Sequence, residues 1–167
     1  MKRDAPSLTM PFRSVTALPD TPGRIWLASM PGRLEPWASF LADVSQATIA
    51  RVVCLTPRHE IASTSPAYLA ALTRGDLPFT WQHLPMRDLG LAEQAQFFRD
   101  GIEAVAQAVL AGDAVLLHCA AGIGRTGTAA ACLLKRLGLP FALALQRVRE
   151  AGSDPQSAAQ SGLIERF

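Results

Sequence analysis

Two runs of residues limit what this chain can fold into. Val52-Val53-Cys54-Leu55 and Ala114-Val115-Leu116-Leu117 are apolar at successive positions, not at alternate ones. A strand of that kind is buried on both faces, as strands are in parallel sheets covered by helices on each side. Further short runs, Arg24–Ala28 and Phe79–Leu84, read as strands of the same sheet. Between them lie longer segments with helical spacing. Trp37, Phe40, Leu41 and Val44 fall on one face of a helix predicted over 34–47. Ser65–Arg74 reads as another. Leu91, Ala95, Phe98, Ile102, Val105 and Val109 step by three and four, so the spacing predicts a helix over 91–111. Gly124–Leu137, Pro140–Ala151 and Pro155 to the terminus complete the set. Strands alternating with helices predict an α/β fold, with a central, mostly parallel sheet of four to five strands and helices on both faces. In such sheets the site lies beyond the carboxyl ends of the strands.

Residues 1–23 hold Pro6, Pro11, Pro19 and Pro22 without periodicity and read as an irregular or edge-strand arm. Residues 24–167 read as one domain, in keeping with a chain of 167 residues. The net charge is +2, which by itself implies no nucleic-acid surface. The cations are 14 Arg and 2 Lys, beside 28 Ala. That skew reads as coding bias and weakens any single Arg as a functional signal. Three cysteines, Cys54, Cys119 and Cys132, with no apolar leader argue against a disulfide framework and for a reducing, cytoplasmic setting. No apolar run is long enough to span a membrane. The Cys and His residues are not paired as zinc ligands are.

The end of the Ala114–His118 strand carries the chemistry. It reads His118-Cys119-Ala120-Ala121-Gly122-Ile123-Gly124-Arg125-Thr126-Gly127, and a helix follows. A strand, a glycine-rich loop and a helix N-terminus together make an anion cradle of backbone N–H groups, aided by the helix dipole. The same field favours a thiolate over a thiol at Cys119. Arg125 can grip two oxygens of a phosphate with its planar fork.

This segment resembles the signature of the cysteine-dependent protein-tyrosine and dual-specificity phosphatases, His-Cys-x5-Arg-Ser/Thr. The resemblance implies a phosphomonoester hydrolase working through a cysteinyl-phosphate, with no metal or cofactor. It implies that Cys119 is the nucleophile and that the 119–125 loop (Cys119, Ala120, Ala121, Gly122, Ile123, Gly124, Arg125) binds the phosphoryl group. His118 then orients the loop, and Thr126 helps the thiolate leave. In this family the general acid is an Asp about 30 residues before the Cys, on a Pro-x-x-Asp loop. Pro85-Met86-Arg87-Asp88 follows a predicted strand, and Asp88 lies 31 residues before Cys119. Glu93 and Asp100 are fallbacks for the acid. Gln156 and Gln160 resemble the family's water-holding glutamines. On a helix capped by Ser153-Asp154-Pro155 they would share one face.

The chain lacks the Trp of the acid loop and the long recognition insert of the large phosphotyrosine enzymes. It therefore looks most like the small, atypical dual-specificity-like or bacterial tyrosine phosphatases. Expected substrates are a phosphorylated protein or a small phosphate monoester, handled by a monomer. Without a Lys in the loop, a highly charged inositol phosphate is not expected. Other readings stay open. One is a phosphate-binding pseudophosphatase. Another is a thiol-dependent arsenate reductase or sulfur-transfer protein, with Cys54 as a partner for Cys119. Cys54 and Cys132 otherwise read as core. Arg58-His59-Glu60 reads as pocket rim or solvated turn, and His83 as strand-end structure. Arg33, Arg58 and Arg87 would favour acidic residues flanking the phosphate.

Overall fold

A computed structural model describes residues 11–88, 90–92 and 94–167. Five strands form one sheet: β1 (Arg13–Val15), β2 (Arg24–Ala28), β3 (Ile49–Cys54), β4 (Thr80–His83) and β5 (Ala114–His118). Their order is β1-β2-β5-β3-β4. β1 runs antiparallel to β2, and every other pair is parallel. The most apolar strand, β5, sits at the centre, and all five of its residues are buried.

The sheet separates two cores. Ile25, Leu27, Val53, Leu55, Val115 and Leu117 face α4 (Ala95–Leu110) and α5 (Gly124–Arg136). Helices α6 (Phe141–Glu150) and α7 (Ala158–Arg166) pack outside α5. Ala28, Val52 and Leu116 face the other way, onto α1 (Trp37–Gln46). Beside them Cys54 meets Ile61 of α2 (Arg58–Thr64) and Tyr68 of α3 (Pro66–Arg74). The mostly parallel, doubly covered sheet is the expected architecture. The stripe on α4 is seated as its spacing requires: Phe98, Ile102, Val105 and Val109 are all buried.

Several predicted boundaries move. The 34–47 helix begins at Trp37, after Pro36. Arg58-His59-Glu60 is the first turn of α2, not a free turn. The helix predicted from Leu91 starts at Ala95, because Leu91 and Ala92 are engaged by Arg87 and Met86. Met86 bridges Ala92, and the Arg87 N–H donates to the Leu91 carbonyl. The last helix starts after Ser157, whose hydroxyl accepts from the Gln160 N–H at 3.1 Å. The cap predicted at Ser153 is absent, since that hydroxyl donates instead to the Gly122 carbonyl. Residues 1–10, Leu89 and Glu93 lie outside the described residues.

Candidate active site

The loop between β5 and α5 stands at the carboxyl edge of the sheet, at its middle. Cys119 is buried at its floor, and its sulfur accepts the Gly122 N–H at 3.2 Å. The loop carbonyls are engaged from outside. The His118 ring meets the Cys119 carbonyl at 3.1 Å. The Met30 N–H and the Arg33 guanidinium donate to the Ala120 carbonyl at 3.1 and 2.9 Å. The Ile123 carbonyl accepts from the Gly127 and Asp154 N–H groups. With these carbonyls tied outward, backbone N–H groups are left to line the interior, as anion binding requires. Gly122 has φ +76°, and a Cβ there would lie 2.5 Å from the Ala28 carbonyl oxygen. Glycine alone serves where the loop turns this close to β2.

Arg125 is nearly buried, with 4% of its side chain exposed. Its two terminal nitrogens pair with the two carboxylate oxygens of Glu60 at 3.0 and 2.9 Å. A further bond runs to the Met86 carbonyl at 3.2 Å. Burial works against the Arg125 charge, but its hydrogen bonds to Glu60 and the nearby acidic groups raise its pKa on balance. Glu60 was read from the sequence only as pocket rim or solvated turn, and its pairing with Arg125 was not foreseen. The usable signal was physical: a buried guanidinium needs a carboxylate, and Glu60 follows the end of a neighbouring strand.

Asp88 comes to the same place. Its carboxylate lies 3.8 Å from the Arg125 guanidinium and is 74% exposed. Asp100 lies on α4, where its carboxylate accepts from Gln96 on the surface. The glutamines divide. Gln156 lies before α7, so the two do not share a helix face. Its side chain packs on Gly124, where an added Cβ would meet Oε1 at 2.6 Å. Gln160 is fully buried, with both ends of its amide engaged. Its Oε1 accepts from the Gln156 N–H and its Nε2 donates to the Gly90 carbonyl. Thr126 Oγ1 is buried without a hydrogen-bond partner among the described residues.

Behind the loop runs a chain of rings. Trp81 Nε1 donates to the Tyr68 hydroxyl at 2.7 Å, and that hydroxyl meets His118 Nε2 at 2.9 Å. His118 Nδ1 faces a carbonyl, which can only accept, so Nδ1 carries the proton and Nε2 accepts from Tyr68. Full burial lowers the His118 pKa to about 4. The neutral imidazole is thus held between the Tyr68 hydroxyl and the Cys119 carbonyl.

The other cysteines are core. Burial raises the pKa of Cys132 to about 12 and raises that of Cys54. Cys54 and Cys119 pack into different hydrophobic clusters, and all three thiols are free. No group of three or more metal-ligating side chains occurs among the described residues. Nor is any described helix long and apolar enough to cross a membrane.

The fold is similar to that of kinase-associated phosphatase in a form whose catalytic cysteine is replaced by serine. That match has a TM-score of 0.80 at 18% identity, covering 93% of this chain and 92% of that one. It is also similar to Tk-PTP in its active form, with a TM-score of 0.64 at 23% identity over 89% and 95% of the two chains. A third similar structure is the human tyrosine phosphatase-like serine/threonine/tyrosine-interacting protein, with a TM-score of 0.67 at 18% identity over 92% and 93%. Among curated proteins none matches. A family model does match, over residues 28–139, most of the chain, from the end of β2 through the signature loop and α5. The chain belongs to that family, Tc-R-P, the DSP-PTPase phosphatases of polymorphic toxin systems.

Proposed function

We propose that this chain hydrolyses phosphate monoesters as a protein-tyrosine or dual-specificity phosphatase, through a cysteinyl-phosphate. One observation carries the reading. Arg125 is held by Glu60 at the mouth of a loop whose floor is Cys119, with the Asp88 carboxylate 3.8 Å from the same guanidinium. A site that only binds phosphate needs the arginine and the loop, but neither the nucleophile nor the acid.

In the first step the Cys119 thiolate attacks phosphorus in line with the ester oxygen. The S–P bond forms, the P–O bond breaks, and Asp88 gives its proton to the departing oxygen. Loop N–H groups and Arg125 hold the three equatorial oxygens, where catalysis of phosphoryl transfer mostly resides. In the second step Asp88 takes a proton from a water. The resulting hydroxide attacks phosphorus, and the S–P bond breaks to return the thiolate and release phosphate. Gln156, packed on the first residue of α5, is the better placed of the two glutamines to hold that water. Thr126, with its unpartnered hydroxyl, is the group to stabilise the departing thiolate. His118 and Gln160 act through others, on the loop and on the acid segment.

The substrate reading is a phosphorylated protein or a small monoester. Against the acid segment lies a cavity of about 770 Å³, between the start of α2 and α4. Pro57, Met86 and Phe97 give it apolar walls, and Arg58 and His59 stand at it. It suits the residues flanking a phosphorylated side chain better than it suits a bare phosphate.

Hydrolysis of an aryl phosphate from pH 5 to 8, in the presence of a chelator, tests the reading. Wild type is expected to turn over without metal. Cys119→Ser should fall to background, and Asp88→Asn should lose about a hundredfold in kcat. Absence of wild-type activity while phosphate still binds would overturn the reading in favour of a phosphate-binding protein.

A further inference from the structure

We propose that Arg13, in the edge strand β1, is a positioning residue for the phosphate loop: it holds the Gly122 carbonyl out of the cup and thereby turns the Ile123 N–H into it. The Gly122 carbonyl and the Ile123 N–H belong to one planar trans peptide, so they point in opposite directions. Gly122 is free to adopt either orientation, but a reversed plane would move Ile123 from φ −117° into the left-handed region that a β-branched residue avoids. Bonds from outside the loop add to that bias and hold the carbonyl in place. Arg13 Nη2 donates to the Gly122 carbonyl at 2.5 Å, and Ser153 Oγ donates to the same oxygen at 2.6 Å. With the plane reversed, the negative end of a carbonyl dipole would face the three phosphate oxygens.

The guanidinium is itself anchored. Its Nη1 donates to the Ala151 carbonyl at 2.8 Å and to Ser153 Oγ at 2.9 Å. Room for it exists because residue 152 is a glycine, where a Cβ would stand 3.0 Å from Nη1. A flat fork serves the three acceptors at once, where the single ammonium of a lysine would serve only some of them. The guanidinium also lies close enough to Cys119 for their charges to interact, a pull that works against the lowering of its pKa by burial. The edge strand thus ties the loop to the α6–α7 connection, and neither segment belongs to the signature itself.

The kinetic part of the test rests on the phosphatase reading, whereas the binding part does not. Arg13→Ala, Arg13→Lys and Ser153→Ala are compared with wild type for kcat and KM on an aryl phosphate. Vanadate and phosphate binding are followed by calorimetry, and folding by thermal melting. Vanadate resembles the transferring phosphoryl group, so it reads the cradle more strictly than phosphate does. Arg13→Ala is expected to lower kcat by about tenfold to a hundredfold with KM changed far less, and to weaken vanadate by a similar factor and phosphate by less. Arg13→Lys should restore part of this. Ser153→Ala should show a smaller loss of the same pattern, and it decides the matter if Arg13→Ala does not fold. A folded Arg13→Ala with wild-type kcat and vanadate affinity would overturn the proposal. So would a loss of kcat with vanadate binding intact, or a lysine variant no better than alanine. If wild type binds vanadate without turnover, the phosphatase reading fails, and the vanadate affinities alone decide the role of Arg13.

Discussion

Arg125 keeps a full charge where little water reaches it, and Glu60 is what makes that tolerable. The bidentate pair fixes the guanidinium plane, which in the proposed mechanism leaves little reorientation for the reaction step. Glu60→Gln keeps one acceptor and removes the opposing charge. It is expected to cost about tenfold in kcat/KM, roughly 1.4 kcal/mol, with the fold retained in a melting curve. The thiols should divide just as clearly. Iodoacetamide on the native protein should label Cys119 alone, and vanadate should protect it. Cys54 and Cys132 should react only after denaturation, since burial holds both thiols protonated. At this scale the sequence pointed to Cys119, Arg125 and Asp88, because each sits in a contiguous motif or at a fixed distance from one, and the structure brings Asp88 to Arg125. Tyr68 and Arg13 gave no such signal, and Glu60 was read only as rim or turn. Their partners lie 50, 109 and 65 residues away, and only the folded sheet brings them together.

Of the elements that departed from their predicted form, two bear on the site. The apolar stripe extended the α4 helix back to Leu91, but the chain uses Met86 and Ala92 to close a loop that presents Asp88. The start of α7 was placed at Pro155, but Ser153 is taken by the phosphate loop and Ser157 caps the helix instead. In each case a tertiary bond outcompeted a local signal, and local signals are all that periodicity reads. The outcome is that Gln160 joins the α7 start to the acid segment through the Gly90 carbonyl. Gln160→Ala is expected to loosen that segment and misplace Asp88. The cost should be about tenfold in kcat for phenyl phosphate, whose leaving group needs a proton. Dinitrophenyl phosphate, whose leaving group does not, should be nearly unaffected. Equal losses on both substrates would place Gln160's effect elsewhere than on the acid.

For the molecule as a whole, the doubly covered sheet was the most legible feature. Consecutive apolar positions in β3 and β5 admit few alternatives, and β5 duly lies at the centre. The same central burial couples stability to pH. His118 has a pKa of about 4 when folded, against an ordinary 6.5, and burial lowers His83 as well. The unfolded chain therefore takes up protons that the folded chain does not. The stability contributed by neutral His118 is complete above about pH 6.5 and is lost as pH falls towards 4, by up to about 3 kcal/mol. Urea melts at pH 7, 5.5 and 4.5 should show the midpoint falling steadily, and a flat midpoint would contradict the burial of His118. Acid loss of activity in this window must accordingly be separated from unfolding before it is assigned to Asp88.

The most direct test of the account is rapid acid quench of the protein with an aryl phosphate, followed by intact-mass and peptide mass spectrometry. The account expects a phosphoryl adduct on Cys119 in wild type, more of it in Gln156→Ala, and none in Cys119→Ser. Turnover in wild type with no adduct on Cys119, or an adduct that persists in Cys119→Ser, would contradict it.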